Sequence, residues 1–199
     1  IVYGMTIGEY ALMINGEGWL SDAKKCNLNI IKIESYSRFD IIDIPFPPSP
    51  NLRTINAILL YPSLCLFEGT LISVGRGTDL PFEIYGAPFL NYDFSFTPTP
   101  NFGSKYPKYN QEICYGINLK EQKNKQENKL NLKFLIQTYN DSPPDYKEFF
   151  FNSFFNKLSG NDHLKIQVIN NVSEDNIRAS WKDAIDSFLL IREKYLLYN

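Results

Sequence analysis

Long apolar runs are missing from this chain: nothing approaches the roughly 20 consecutive apolar residues that a bilayer-spanning helix needs, so no transmembrane segment is expected. Nor does one sign of charge dominate. Lys and Arg number 20 against 22 Asp and Glu, a net charge of -2, which supplies no positive field to hold a polyphosphate backbone; nucleic acid is not an expected partner. Cysteine is scarce, with Cys26, Cys65 and Cys114 scattered and no CxxC pair or histidine cluster beside them. That pattern predicts neither a disulfide framework nor a zinc site, but buried free thiols and no metal. His163 is the single histidine, in the turn or helix start Asn161-Asp162-His163-Leu164, where an imidazole is more often a cap or surface group than a catalytic base. Acid–base work is left to carboxylates, tyrosines or arginine.

What is present is a globular composition. Of the 199 residues, 44% are hydrophobic and 21% charged, and folding a chain of this length buries roughly 70% of its unfolded surface. Aromatics are abundant, 13 Tyr and 15 Phe against 2 Trp, many of them beside polar residues or proline. Cores and sugar-binding clefts both use aromatic faces in this way. The stretch Lys120 to Lys129 interleaves lysine with glutamate and glutamine and reads as a solvated turn or hairpin tip. The chain opens Ile1-Val2-Tyr3-Gly4-Met5-Thr6, with no initiator methionine and no basic-then-apolar leader, so it reads as the middle of a protein with any signal peptide upstream.

Local signals predict the elements. Thr6 and Glu9 form a capping box, and the helix from Ile7 stops at Asn15-Gly16. Asn27 to Glu34 alternates like a half-buried strand, and a proline-laden loop runs from Ile44 to Pro50. Thr54 caps a helix over Ile55 to Tyr61 that Pro62 closes, and Ser63 to Phe67 reads as a buried strand delivering Glu68 at its end. This alternation is the rhythm of an α/β sheet. A Pro- and Gly-dense stretch from Gly86 to Tyr106 suggests a domain boundary near residue 90, giving 1–90 and 91–199. Beyond it, Gln111 to Leu119 reads as a strand, Lys129 to Tyr139 as a helix or long strand, and Phe149 to Leu158 as a helix. A final helix starts after Ser173, and its stripe Ile177, Trp181, Ile185, Phe188, Ile191 and Tyr195 is expected to pack in the core.

Chemistry concentrates between Glu68 and Glu83. Glu68, Arg76 and Glu83 lie among Gly69, Gly75 and Gly77, with Thr70 and Thr78 between them, so backbone can approach a ligand between charged side chains. The glycines fit neither a phosphate loop nor a dinucleotide fingerprint. Glycoside hydrolysis needs two carboxyl groups about 5 to 9.5 Å apart, and Glu68 and Glu83 are candidates for such a pair. An arginine between them can hold a substrate carboxylate. The plainer reading also stands: Glu68-Gly69-Thr70 ends a strand, and Arg76 pairs with Glu83 or Asp79 to hold the loop.

The blocks Tyr3-Gly4-Met5-Thr6-Ile7-Gly8-Glu9, Pro48-Ser49-Pro50-Asn51, Phe67-Glu68-Gly69-Thr70, Gly75-Arg76-Gly77-Thr78, Pro81-Phe82-Glu83 and Gly86-Ala87-Pro88-Phe89 resemble the NamZ family of exo-β-N-acetylmuramidases, formerly a domain of unknown function. The resemblance continues through Trp181, Phe188, Arg192 and Tyr195-Leu196-Leu197-Tyr198. It implies the C-terminal portion of a Rossmann-like domain, 1–90, followed by a smaller α+β domain, 91–199, with the active site in a cleft. It implies release of terminal N-acetylmuramic acid from the non-reducing ends of peptidoglycan fragments, no metal or organic cofactor, and a periplasmic or secreted location in a bacterium. The family's catalytic glutamate is expected upstream of Ile1, leaving Glu68 and Glu83 as weaker candidates. Val74 stands where many members carry an acid. Glu68, Thr70, Arg76, Thr78, Glu83 and Asn51 are the expected substrate-binding residues, Arg76 facing the lactyl carboxylate. The competing readings are a non-catalytic cell-wall sugar-binding module and an interaction protein docking through the aromatics around Tyr92 to Phe102.

Overall fold

The computed structural model describes residues 4–40, 45–120 and 130–198; the expected hairpin tip at 121–129 lies outside them. The fold is mixed α and β: helices α1 (Ile7–Gly16), α2 (Ile55–Leu64), α3 (Lys133–Asp141), α4 (Pro144–Lys147), α5 (Phe155–Ser159), α6 (His163–Ile169) and α7 (Glu174–Glu193), and strands β1 (Ile84–Ala87), β2 (Phe94–Phe96) and β3 (Cys114–Asn118). None of these helices is long and apolar enough to cross a membrane. The chain forms two compact units. One holds described residues 45–177, the other 4–40 and 178–198. Residue 90 falls inside the first.

In the first unit, Thr54 starts α2 by accepting the Ala57 N–H at 3.0 Å. Pro62 sits within the last turn instead of ending the helix, and the chain then tightens into a 3₁₀ turn over Cys65–Gly69. The expected strand Ser63 to Phe67 is therefore helical. Five consecutive apolar or small residues carry no periodicity that separates a buried strand from a buried helix, and Leu64, Leu66 and Phe67 are all fully buried. The sheet is small and antiparallel throughout, in the order β1-β3-β2, with Ile84 opposite Asn118 and Phe94 opposite Gly116. Among the described residues there is no parallel sheet edge from which Glu68 could project.

The core of this unit is aromatic. Phe67 stacks on Tyr85 with centroids 4.9 Å apart, and Tyr139, Phe150, Phe151 and Phe155 form a chain of ring contacts. Phe150 and Phe151 are not helical, and Phe151 bridges Thr70: the Leu71 N–H donates to Phe150 O at 2.9 Å and the Asn152 N–H to Gly69 O at 3.0 Å. The helix expected over Phe149 to Leu158 therefore begins only at Phe155. The strand expected over Gln111 to Leu119 is β3, and α3 settles the choice left open for Lys129 to Tyr139.

In the second unit, the capping box forms as expected, with the Thr6 N–H donating to Glu9 Oε2 at 2.8 Å. The expected strand Asn27 to Glu34 has no ladder; Ile31 is 90% exposed. Its alternation has no partner strand among the described residues, and side chains hold the segment instead, such as Tyr198, whose hydroxyl accepts the Ile33 N–H at 3.0 Å. Helix α7 begins where the sequence predicts. Of its stripe, Ile177 is buried and belongs to the first unit, whereas in the second Trp181, Phe188 and Ile191 are half-buried, Ile185 is exposed and Tyr195 lies past the end of the helix, so core packing holds fully only in the first turn.

Candidate functional site

The loop after the 3₁₀ turn runs beside β1: Ser73 and Gly86 exchange backbone hydrogen bonds of 2.8 and 2.9 Å. Gly75 and Gly77 then bracket Arg76 with φ of +74° and +87°, a left-handed backbone that glycine adopts without steric cost. The space above them is not open to a ligand. A Cβ on Gly75 would lie 2.5 Å from Ile84 Cγ1, and one on Gly77 would lie 2.7 Å from both Pro107 Cβ and Thr99 O. The two glycines let the chain pack upon itself, and that packing sets where Arg76 stands.

Arg76 Nη1 donates to Glu68 Oε1 at 2.6 Å, with the arginine side chain 42% and the glutamate 24% exposed. The pair lies on a cleft of about 280 Å³ whose other wall is the corner Ser104, Tyr106, Pro107 and Lys108. Lys108 Nζ donates to Thr70 O at 2.6 Å and Ile72 O at 2.8 Å, and the Tyr109 hydroxyl donates to Leu71 O at 2.8 Å. Three consecutive carbonyls are thus held by two side chains of the corner. Burial lowers the Lys108 ammonium to about 8, although Glu68 draws it back up. Tyr106, 94% exposed, rims the cleft with a free aromatic face.

The structure brings together two of the expected site residues, Glu68 and Arg76. Glu83 is buried elsewhere: its carboxylate accepts from the Thr54 hydroxyl at 2.7 Å and from Asn56 Nδ2 at 2.9 Å, fixing the start of α2. It does not line the cleft, so Glu68 and Glu83 do not face each other across it, and Arg76 pairs with Glu68 instead of Glu83 or Asp79. Thr70 is buried with its hydroxyl on Phe67 O at 2.9 Å, and the Thr78 hydroxyl turns back to Gly75 O at 2.7 Å. Asn51 is buried and donates to Gly103 O at 2.7 Å, supporting the turn that leads to Ser104. These three shape the loops without meeting the cleft. Val74 lines it and adds no charge. His163 opens α6 at the surface, 79% exposed. Within Tyr92 to Phe102, Tyr92, Phe94 and Phe96 are half-buried and only Phe102 stands clear, which leaves no contiguous aromatic docking face there.

Sequence reasoning missed Lys108. Tyr106-Pro107-Lys108-Tyr109 matches no motif, and its partners lie over thirty residues away. The one local signal was a lysine inside a proline- and tyrosine-rich turn, which fixes its backbone better than a solvated charge run does.

Residues 59–198 match the family model described as Exo-beta-N-acetylmuramidase NamZ, C-terminal, and residues 1–56 match its N-terminal counterpart. The chain is 34% identical to the Peptidoglycan beta-N-acetylmuramidase NamZ of Bacillus subtilis (strain 168), across 98% of this chain and 50% of that protein. The crystal structure of a DUF1343 family protein from Bacteroides fragilis NCTC 9343 matches with a TM-score of 0.93 at 41% identity, covering 100% of this chain and 57% of that one. A second DUF1343 family protein from the same organism matches with a TM-score of 0.76 at 21% identity, over 99% of this chain and 57% of that one, and bears on the fold alone. The chain thus spans about half the length of the relatives it matches.

Proposed function

The chain belongs to the NamZ family of exo-β-N-acetylmuramidases, and on that premise we propose that it supplies one wall of the saccharide site of a glycoside hydrolase that releases terminal N-acetylmuramic acid from the non-reducing ends of peptidoglycan fragments. The observation that carries this reading is the cleft of Glu68, Arg76 and Lys108, a polar recess rimmed by the exposed ring of Tyr106. N-acetylmuramic acid differs from N-acetylglucosamine by a lactyl ether ending in a carboxylate, and a guanidinium is suited to bind such a group through parallel N–H donors. Arg76 gives one donor to Glu68 and keeps others for the ligand.

Glu68 is the one carboxylate among the residues lining the cleft, and glycosidic cleavage takes a pair. In this proposal the cleft positions the sugar, and the second carboxylate comes from outside it. The finer reading of a Rossmann-like domain followed by an α+β domain belongs to the same proposal, with the change of domain placed between residues 56 and 59, where the two family models meet, and not at residue 90, which lies between paired strands β1 and β3. So does a periplasmic or secreted location, because the polymer lies outside the cytoplasmic membrane.

Arg76→Lys in the natural gene product tests the reading. Release of a chromophore from a β-linked N-acetylmuramic acid glycoside is expected to fall at least tenfold relative to the N-acetylglucosamine analogue. Unchanged selectivity removes Arg76 from the carboxylate site. A single carboxylate in the cleft also suits a sugar-binding module, and binding of the glycoside by the wild-type protein without any release decides for that alternative.

A further inference from the structure

The charges of the cleft do not cancel. Arg76 is engaged by Glu68 at 2.6 Å, while among the described residues Lys108 makes no ion pair, feeling Glu68 only through space: the hydrogen bonds of its ammonium go to the carbonyls of Thr70 and Ile72. One carboxylate against two cations leaves a net positive charge in a partly enclosed recess, where charge acts more strongly than in open water. An ammonium has three donors, and two are held by backbone. The segment that accepts them is itself fixed, because Tyr109 holds Leu71 O and the Thr99 N–H donates to Gly77 O at 2.9 Å. Pro107 packs on Gly77, so the ammonium is anchored from both sides of the corner.

We propose that Lys108 is a specificity-determining residue of this cleft, its third N–H donating to the carboxylate of an N-acetylmuramic acid ligand. The proposal rests on the muramic acid reading above and adds a residue to it. Arg76, already half-neutralised by Glu68, orients the carboxylate. Lys108 supplies the uncompensated charge that makes the cleft prefer a monoanionic sugar over its neutral counterpart. A purely structural lysine, stapling the corner to the Thr70–Ile72 carbonyls, would show no such preference, and this is the distinction to measure.

The test is calorimetric titration of the natural gene product and its Lys108→Met and Lys108→Arg variants with N-acetylmuramic acid and with N-acetylglucosamine. Lys108→Met is expected to weaken N-acetylmuramic acid binding by about tenfold to a hundredfold, the worth of one charge-assisted hydrogen bond. N-acetylglucosamine binding stays within twofold, and Lys108→Arg retains most of the preference. Wild-type preference surviving in Lys108→Met overturns the assignment while leaving the muramidase reading intact; a wild-type protein that does not distinguish the two sugars takes down both. Should Lys108→Met lose its fold, the wild-type ammonium is read directly by ¹H–¹⁵N correlation of the lysine Nζ signals, with Lys108 assigned by the peak absent from Lys108→Arg. Its signal moves on saturation with N-acetylmuramic acid and not with N-acetylglucosamine; no movement with either overturns the proposal.

Discussion

Glu9 offers a sharp test of how the second unit is held. Its side chain is fully buried, accepting the Thr6 N–H at 2.8 Å and the Leu197 N–H at 2.7 Å, and it is ion-paired with Arg38. Arg38 in turn donates to Gly4 O at 3.2 Å and Tyr198 O at 3.1 Å, so one carboxylate joins α1, the 24–40 segment and the last residues of the unit. Burial by itself pushes the Glu9 carboxyl up. The Arg38 guanidinium outweighs it together with the Leu197 and Thr6 donors, bringing the group from 4.5 down to about 2. A depression of that size corresponds to on the order of 3 kcal/mol of folding stability at neutral pH.

The sign follows from which state holds the proton. Because the folded carboxyl titrates below the unfolded one, the stabilisation is complete above pH 4.5 and is lost as pH falls from 4.5 toward 2. Glu9→Gln keeps the hydrogen bond of the capping box, which glutamine serves as well as glutamate, while removing the charge. It leaves Arg38 buried without its counter-ion, a loss of about 3 kcal/mol. Both tryptophans, Trp19 and Trp181, lie in this unit, so urea unfolding followed by tryptophan fluorescence reports on it specifically. The variant is expected to lose about 3 kcal/mol at pH 7 and much of the wild-type decline between pH 5 and pH 2.5. A variant as stable as wild type at pH 7, or one with an undiminished acid slope, refutes the reasoning.

Three further outcomes are expected. Gly77→Ala puts a Cβ against Pro107 and Thr99 at a φ of +87° and lowers the unfolding free energy of the first unit by about 1–3 kcal/mol, read from urea denaturation followed by far-UV circular dichroism; a loss under a few tenths of a kcal/mol would mean the 98–109 loop yields freely. Phe67→Ala empties a fully buried site stacked on Tyr85 and costs about 3–5 kcal/mol in the same assay, a smaller value indicating collapse of the cavity. Native iodoacetamide labelling followed by mass spectrometry should modify Cys26 alone, since Cys65 and Cys114 are buried and burial pushes their thiols to about 11 and about 12. Equal labelling of all three cysteines in the folded protein contradicts that burial.

What was legible in the residues were the features whose causes are local. Thr6 with Glu9, Thr54 before α2 and Ser173 before α7 start helices because a side chain three residues from an orphan N–H can reach it whatever the rest of the chain does. Elements that depend on a distant partner were not legible. Asn27 to Glu34 alternates like a strand yet finds no ladder, and β1 and β2 were hidden in a stretch whose prolines and glycines argue for loop. Their pairing is decided by β3, some twenty to thirty residues on, with Gly86 directly opposite Gly116.

The stretch from Glu68 to Glu83 divides along the same line. Its amino acids by themselves determined that charge, glycine and short hydroxyl side chains would gather in one loop, and its blocks carried the family. Only the tertiary structure decided which charges face solvent together. It turned Glu83 inward to Thr54 and Asn56, paired Arg76 with Glu68, and brought Lys108 across from a proline- and tyrosine-rich turn that matches no motif. The reason is geometric: a helix cap is set within one turn of chain, whereas a cleft is set by which buried side chains fill the space behind it.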